Sequence, residues 1–266
     1  SLKKYLKLID NKNNIKLYIP KNRLNNTIGN IPTLIYNKGH CILMGGFWNG
    51  SILVENIIID KKEKGEKIES KLYLTKDNSP ITHILIDENE TFILCGNIIG
   101  NIYIYIIDSI EKNILHLYKI LYDNYSPISS LDFNDKLNIC ITCFKDGICN
   151  LYITPQFKLV NSFKLKNIIK NENCLYSNIS LISSSPLPCF IFYFKQRSSL
   201  CVCSINGHFI KEQKIDYEIK NQNYIKKFTD NQFIDYLMIL DDKNCAINIY
   251  NIIDLQIVMK ANLSSY

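Results

Sequence analysis

Ten cysteines and four histidines are the residues of this 266-residue chain best suited to metal or nucleophilic chemistry. Cys140-Ile141-Thr142-Cys143 is its one Cys-x-x-Cys. Apolar and β-branched neighbours put the pair in a strand, where positions i and i+3 point to opposite faces. A tetrahedral zinc site needs three or four ligands, and no second pair follows, so both read as core cysteines. Cys201 and Cys203 share a strand face with His208 beyond the next turn, which leaves a metal site short of ligands. His40, His83, His116 and His208 are scattered, and His40 and His83 flank apolar strands as hydrogen-bonded structural residues rather than general bases. Asp241 and Asp242 adjoin at a strand end, where neighbouring side chains diverge, the wrong geometry for paired acid–base work. The chain has no P-loop, dinucleotide fingerprint or Gly-x-Ser-x-Gly elbow. Neither catalysis nor a cofactor or metal is expected.

The net charge of +6 is mild, and Lys and Asn are spread along the whole sequence. The densest basic groups are Lys226-Lys227 and the mixed-sign stretch from Lys61 to Lys67. Lys158, Lys164, Lys166 and Lys170 alternate with Leu159, Val160 and Leu165, as on the solvated side of an edge strand and its connector. Tyr and Phe lie in strands as packing residues. A nucleic-acid surface would cluster its charge and present its rings, so nucleic acid is not the expected partner. Cys41, Cys95, Cys140, Cys149, Cys189, Cys201, Cys203 and Cys245 sit in apolar runs, where free cysteine behaves as a small hydrophobe. With no leader pattern at the first residues, reduced thiols in the cytoplasm are expected. The chain starts with Ser, as a piece of a larger protein would. No uncharged apolar run approaches the ~18 residues of a membrane span.

The elements that must carry these residues are strands. Cys41 to Val54 reads as two strands around Asn49-Gly50, a pair whose tolerance of positive φ predicts a two-residue type I′ turn. Trp48 beside it reads as a blade-packing residue, the alternative being an exposed anchor for a partner. Tyr5 to Ile9 and Ile15 to Ile19 form a hairpin around Asp10–Asn14, residues 21–32 are loop, and Asp60–Lys67 is a charged connector before a short strand at Leu72–Leu74. Strand–turn–strand units then recur. Their central turns fall at Gly50, Gly100, Gly147, Ser199 and Asn244, at steps of about 45 to 52 residues, near the period of four-stranded propeller repeats. Strands such as Ile102 to Ile107, apolar on both faces, suit blades stacked face to face. The fold class is therefore all-β, a β-propeller of four-stranded antiparallel blades, with a two-sheet sandwich as the alternative. Five whole units and a half unit at the N-terminus imply either a ring closed with six blades or one whose seventh blade is missing from this chain.

Three motifs carry a family likeness. Gly45-Gly46-Phe47-Trp48-Asn49-Gly50-Ser51 resembles the Gly-(Phe/Tyr/His)-Trp-Asp-x-Ser motif of the first clear WD repeat in BEACH-domain proteins, with Asn49 in place of Asp. Cys140 to Cys149, with Asp146 and Gly147, is similar to their Ser-Gly-x-Lys-Asp/Glu-Gly-x-Cys repeat. Ser204-Ile205-Asn206-Gly207-His208 is similar to the Phe-Ser-Ile-Asn-Gly-Lys turn that follows it. Order and spacing agree from about residue 40 to about residue 260. The resemblance implies that Gly45, Gly46, Trp48, Asn49, Asp146, Gly147, Asn206 and Gly207 are turn residues of a WD-repeat propeller, one domain over residues 1–266 of a neurobeachin-like scaffold. It implies a non-catalytic platform for other proteins in vesicle trafficking, membrane dynamics or autophagy, cytoplasmic or peripheral to intracellular membranes, with membrane contact through neighbouring domains or partners. The Asp of the central turns survives only as Asp146, Ile99 and Lys243 lying near its equivalents, and most of the His-Asp-Ser/Thr-Trp network that braces WD repeats is missing. Packing is thus expected to hold the blades. An enzyme site in the central channel would need converging charges on inner strands, where Ile81-Thr82-His83-Ile84 and Ile128-Ser129-Ser130-Leu131 offer few. A nucleic-acid propeller would lose binding steeply with salt. Fold alone fixes neither.

Overall fold

The computed structural model describes residues 7–10, 13–16, 33–37, 42–60, 65–87, 89, 91–107, 115–169, 176–220, 225–230 and 234–263. The expected loop at 21–32, His40 and Cys41 lie outside them. Among the described residues the chain forms five four-stranded antiparallel sheets and one two-stranded hairpin. The hairpin is β1 (Lys7–Asp10) with β2 (Asn13–Lys16). The first sheet holds β3 (Thr33–Asn37), β4 (Ile42–Gly46), β5 (Ser51–Asp60) and β6 (Gly65–Leu74). The second holds β7 (Ile81–Ile86), β8 (Phe92–Asn97), β9 (Ile102–Ile107) and β10 (Leu115–Leu121). The third holds β11 (Ile128–Asn134), β12 (Ile139–Phe144), β13 (Ile148–Ile153) and β14 (Lys158–Lys164). The fourth holds β15 (Ile179–Ser183), β16 (Cys189–Phe194), β17 (Ser199–Ser204) and β18 (Phe209–Lys214). The fifth holds β19 (Ile225–Thr229), β20 (Asp235–Asp241), β21 (Ala246–Asn251) and β22 (Ile257–Asn262). These sheets are the five units counted in the sequence, each a meander bonded in chain order.

First strands of successive sheets neighbour one another, β3 with β7, β7 with β11 and β11 with β15, so they form the inner side and the fourth strands the outer. Apolar clusters fill the spaces between sheets. Ile52 and Val54 pack with Ile93 and Tyr105, Leu94 and Ile104 with Phe133 and Tyr152, Ile141 with Phe190 and Phe192, and Ile191 and Val202 with Leu237 and Ile239. Strands β8, β12 and β16 are buried at every residue, which requires a neighbour on both sides. The opposite faces foreseen for Cys140 and Cys143 follow from this. Cys140 enters the core shared with the second sheet, and Cys143 the core shared with the fourth.

Three local expectations need correction. In the N-terminal hairpin Asp10 and Asn13, expected in the turn, pair with each other inside the ladder. The charged connector is shorter than Asp60–Lys67: β5 and β6 pair continuously out to Asp60 and Gly65, so Leu72–Leu74 is the end of a ten-residue strand. The basic connector after β14 winds into a short helix, α1 (Leu165–Ile169), whose Leu165 is buried.

Close approach of the sheets explains Gly46. A Cβ there would lie 2.5 Å from Ile81 Cγ2 and 2.7 Å from Ile81 Cβ, on the inner strand of the next sheet. At Gly96 the nearest atom would be Ile128 Cδ1 at 2.6 Å, the far end of a side chain that can swing aside. Gly46→Ala is therefore expected to cost about 1–3 kcal/mol and Gly96→Ala less. Urea-denaturation midpoints of the two variants check this order.

Candidate interaction surface on the turn face

In each meander the turn between the second and third strands and the connector to the next sheet lie at the same end. In the first sheet Phe47 N–H donates to Ser51 O at 3.0 Å and Gly50 N–H to Phe47 O at 3.2 Å. Gly50 has φ 77°, whereas Asn49 is not left-handed. This is a three-residue loop closed by a left-handed glycine, not the two-residue type I′ turn expected. Asn49 works through its side chain instead, accepting from Ser51 N–H at 3.1 Å and Ser51 Oγ at 2.6 Å. The loop recurs at Asn97–Asn101. At Phe144–Gly147 the Asp146 carboxylate takes the part of Asn49, accepting from Ile148 N–H at 3.0 Å. In the last two sheets the left-handed residues are Ser198 and Cys245 rather than Ser199 and Asn244, so Cys245 is exposed in a turn and not buried in a strand.

This geometry decides the fate of the aromatic pair. Phe47 ends the strand and is 0% exposed, while Trp48 stands at the tip and is 49% exposed. Trp48 is thus not the blade-packing residue expected.

Turns and connectors are stitched into one shelf. Thr75 Oγ1 donates to Gly50 O at 2.8 Å, and Asp77 in the same connector accepts from Asn97 Nδ2 at 2.7 Å and Asn101 Nδ2 at 2.8 Å. The next connector lies against Gly100, whose added Cβ would come within 2.6 Å of the Asn124 and Ser126 carbonyl oxygens. Asn124 Nδ2 then donates to Asp146 at 3.1 Å, and Asp146 N–H to Ser126 Oγ at 3.1 Å. Burial pushes the Asp77 carboxyl up, but its bonds from Asn101, Ser79 and Asn97 outweigh that and hold it below the usual carboxylate range. On this shelf Trp48, Ile98, Ile99, Tyr122 and Tyr125 are exposed, Tyr125 to 89%. Lys76 and Lys145 are exposed beside them.

Beneath the shelf a network missed in the sequence clamps connectors to third strands. Tyr152 Oη donates to Asp123 Oδ2 at 2.9 Å and accepts from Asn150 Nδ2 at 3.1 Å. In the fifth sheet Tyr217 and Tyr250 hydroxyls meet at 2.8 Å, and Asn248 Nδ2 donates to Tyr217 at 3.1 Å. The available signal was a polar residue in the connector before the third and fifth units, followed by tyrosine on the third strand of each.

The structure brings Trp48, Asn49, Asp146 and Gly147 to one face and puts Asn206 and Gly207, in the turn after β17, at the other end of the sheet. Gly45 and Gly46 are buried in β4. His208 is exposed, while Cys201 and Cys203 are buried with their sulfurs 3.7 Å apart. Among the described residues no group of three or more His, Cys, Asp or Glu is placed to hold a metal. Asp241 is buried and bonded to Asn244, and Asp242 pairs with Lys220 at the surface, so the two carboxylates do diverge.

Inner strands are tied across sheets. His83 Nε2–H donates to Ser129 O at 3.1 Å, with Nδ1 3.0 Å from the Thr82 hydroxyl. Ile182 N–H donates to Asp132, and Ile182 O accepts from Asn134 at 3.2 Å and Lys227 at 3.1 Å.

The crystal structure of the C-terminal WD40 domain of Sif2 superposes on 88% of this chain with a TM-score of 0.60 at 13% sequence identity. The fold is a WD40 β-propeller. It is shared so widely, by 1345 matching solved chains, that the likeness fixes architecture and leaves the role to the surface. The match spans 61% of the Sif2 chain. No family model matches the sequence, and no curated protein does. WD40 propellers are typically non-catalytic and generally bind other proteins. No helix among the described residues is long and apolar enough to cross a membrane.

Burial pushes the His83 imidazole down to about 4; the Ser129 carbonyl opposes this and the Lys145 ammonium adds to it. Between about pH 6.5 and pH 4 the unfolded chain binds a proton that the folded chain refuses. This share of stability is present above pH 6.5 and lost as pH falls, up to about 3 kcal/mol. His83→Gln keeps an N–H for Ser129 and should flatten the urea midpoint across that window. The lowered carboxylates Asp77 and Asp235 act at lower pH, below about 4.

Proposed function

We propose that this propeller is a protein-binding platform whose contact surface is the shelf of Trp48, Ile98, Ile99, Tyr122 and Tyr125. One observation carries the reading: large apolar side chains stand exposed on turns whose backbone is braced from below. Exposed aromatics on a rigid support lose little entropy on contact, and Trp and Tyr are the commonest binding hot spots. With Lys76 and Lys145 on the same face, the fitting partner is an extended segment offering apolar side chains flanked by carboxylates.

The setting we propose is a BEACH-type scaffold of vesicle trafficking, membrane dynamics or autophagy, cytoplasmic or at the edge of intracellular membranes, reaching membranes through its neighbours. The motifs around Trp48, Asp146 and Asn206 support it. Proximity labelling in cells should then enrich coat, tethering or autophagy proteins, and an RNA-dominated yield would sink it.

For the surface itself, the expected result is that Trp48→Ala and Tyr125→Ala each weaken a captured partner at least about tenfold, ~1.4 kcal/mol, without moving the thermal midpoint. Titration calorimetry and a melting curve measure both. Unchanged affinity in the double variant would place the contact elsewhere.

A further inference from the structure

We propose that the cleft between the fourth and fifth sheets is a second contact site, one that takes the side-chain carboxamide of a glutamine or asparagine in a partner polypeptide. The repeat itself supplies the comparison. Third strands β13 and β21 both contain Asn-x-Tyr, with Asn150 and Tyr152 in one and Asn248 and Tyr250 in the other. In the third sheet the asparagine is bonded at both ends of its amide. Asn150 Nδ2 donates to Tyr152 Oη at 3.1 Å, and Asn150 Oδ1 accepts from Ser162 Oγ, directly opposite on β14, at 2.8 Å. Tyr152 Oη then donates to Asp123, so the chain of donors ends on a carboxylate.

In the fifth sheet the same network stays open. Lys260 stands opposite Asn248, where the third sheet has Ser162, and Tyr217 takes the part of Asp123. Asn248 Nδ2 donates to Tyr217 Oη at 3.1 Å, but Asn248 Oδ1 has no partner, although Asn248 is only 3% exposed. The Tyr217 and Tyr250 hydroxyls are 2.8 Å apart. Burial pushes both up, so each keeps its proton. One hydrogen lies between the two oxygens, which leaves the other for an acceptor elsewhere. A buried polar atom without a partner is costly, and a ligand that supplies the partner recovers that cost.

These groups line a cleft of about 340 Å³, at the small end of ligand sites. Asp241, 2% exposed, lines it too, each carboxylate oxygen accepting one bond from Asn244 and keeping room for another. The cleft therefore presents two acceptors, Asn248 Oδ1 and Asp241, beside one hydroxyl hydrogen. A primary carboxamide is the matching group: its two N–H donors serve the acceptors and its oxygen takes the hydrogen. A carboxylate lacks the donors, and a guanidinium or ammonium lacks the acceptor. Ile215 and Leu255 in the same wall are buried and suit the methylenes that carry the amide. The inference rests on the platform reading for the class of partner alone.

The test uses the isotope-labelled full chain and follows the Asn248 side-chain amide and the backbone amides of β21 by NMR. N-acetylglutamine N-methylamide is the probe, with its glutamate, methionine and arginine counterparts beside it. The glutamine probe should shift these signals and saturate at a concentration at least about tenfold below the other three. Lys260→Ser sets a hydroxyl opposite Asn248, as in the third sheet, and should weaken the probe at least about tenfold, while Lys260→Ala adds no hydroxyl and should keep the affinity. Asn248→Ala should abolish binding, and if that variant fails to fold, the two Lys260 variants still decide. No shift with any probe, meaning a cleft filled by solvent alone, overturns the proposal. So does methionine or glutamate binding as tightly, which would make the site apolar or an anion site of the rim lysines, and so does arginine binding best, which would assign it to Asp241 alone. The probes do not involve the shelf of Trp48 and Tyr125, so the two readings fail separately.

Discussion

A strand that is apolar on both faces is stable only between two others, and this constraint organises the whole chain. Each Val, Leu, Ile or Phe taken out of water contributes about 1.5–3 kcal/mol. Strands such as β12 and β16 collect that gain on both sides at once. No single sheet can do so alone. The unit of stability is therefore the space between two sheets rather than the sheet itself, and the close approach at Gly46 is a consequence.

Hydrogen bonds then do what packing cannot. Apolar contact holds sheets together but does not fix how turns and connectors sit at their ends. Asp77, Asp123 and Tyr217 fix that, each from a connector and each bonded to a strand or turn of the sheet that follows. On the inner side Asp132, Asn134 and Lys227 hold the backbone of Ile182 from two directions. Asp132 and Lys227 on these strands are thus engaged in ties between blades. With the backbone groups of the turn face satisfied, its tips are left to carry exposed rings.

Much of this was legible in the sequence. Apolar runs, Asn-Gly and Asp-Gly punctuation and a period near 50 residues were enough to count five four-stranded units. What was misread has physical reasons. Asn-Gly suggests two left-handed residues, but an asparagine can satisfy the turn through its side chain, and Asn49 does. Ser198 and Cys245 are left-handed without glycine, a strain that no local pattern announces. Phe47 and Trp48 are equally aromatic, and one residue of turn length decides which is buried. The bond from Tyr152 to Asp123 joins residues 29 apart, beyond any local signal.

Cores formed only between consecutive sheets have a consequence for synthesis on the ribosome. The first sheet emerges complete, yet one side stays wet until the second has followed. At ~5–20 residues per second, a further ~50 residues take on the order of 3–10 s. During each such interval the newest blade presents an apolar face and a row of unpaired edge groups to its surroundings. The exposed outer strands carry charges for that interval: Lys158 and Lys164 on β14, Lys214 on β18, and Lys260 on β22. Lysine on a strand edge discourages pairing with another chain. Charges that look idle in the finished molecule thus guard a nascent chain that cannot yet cover itself.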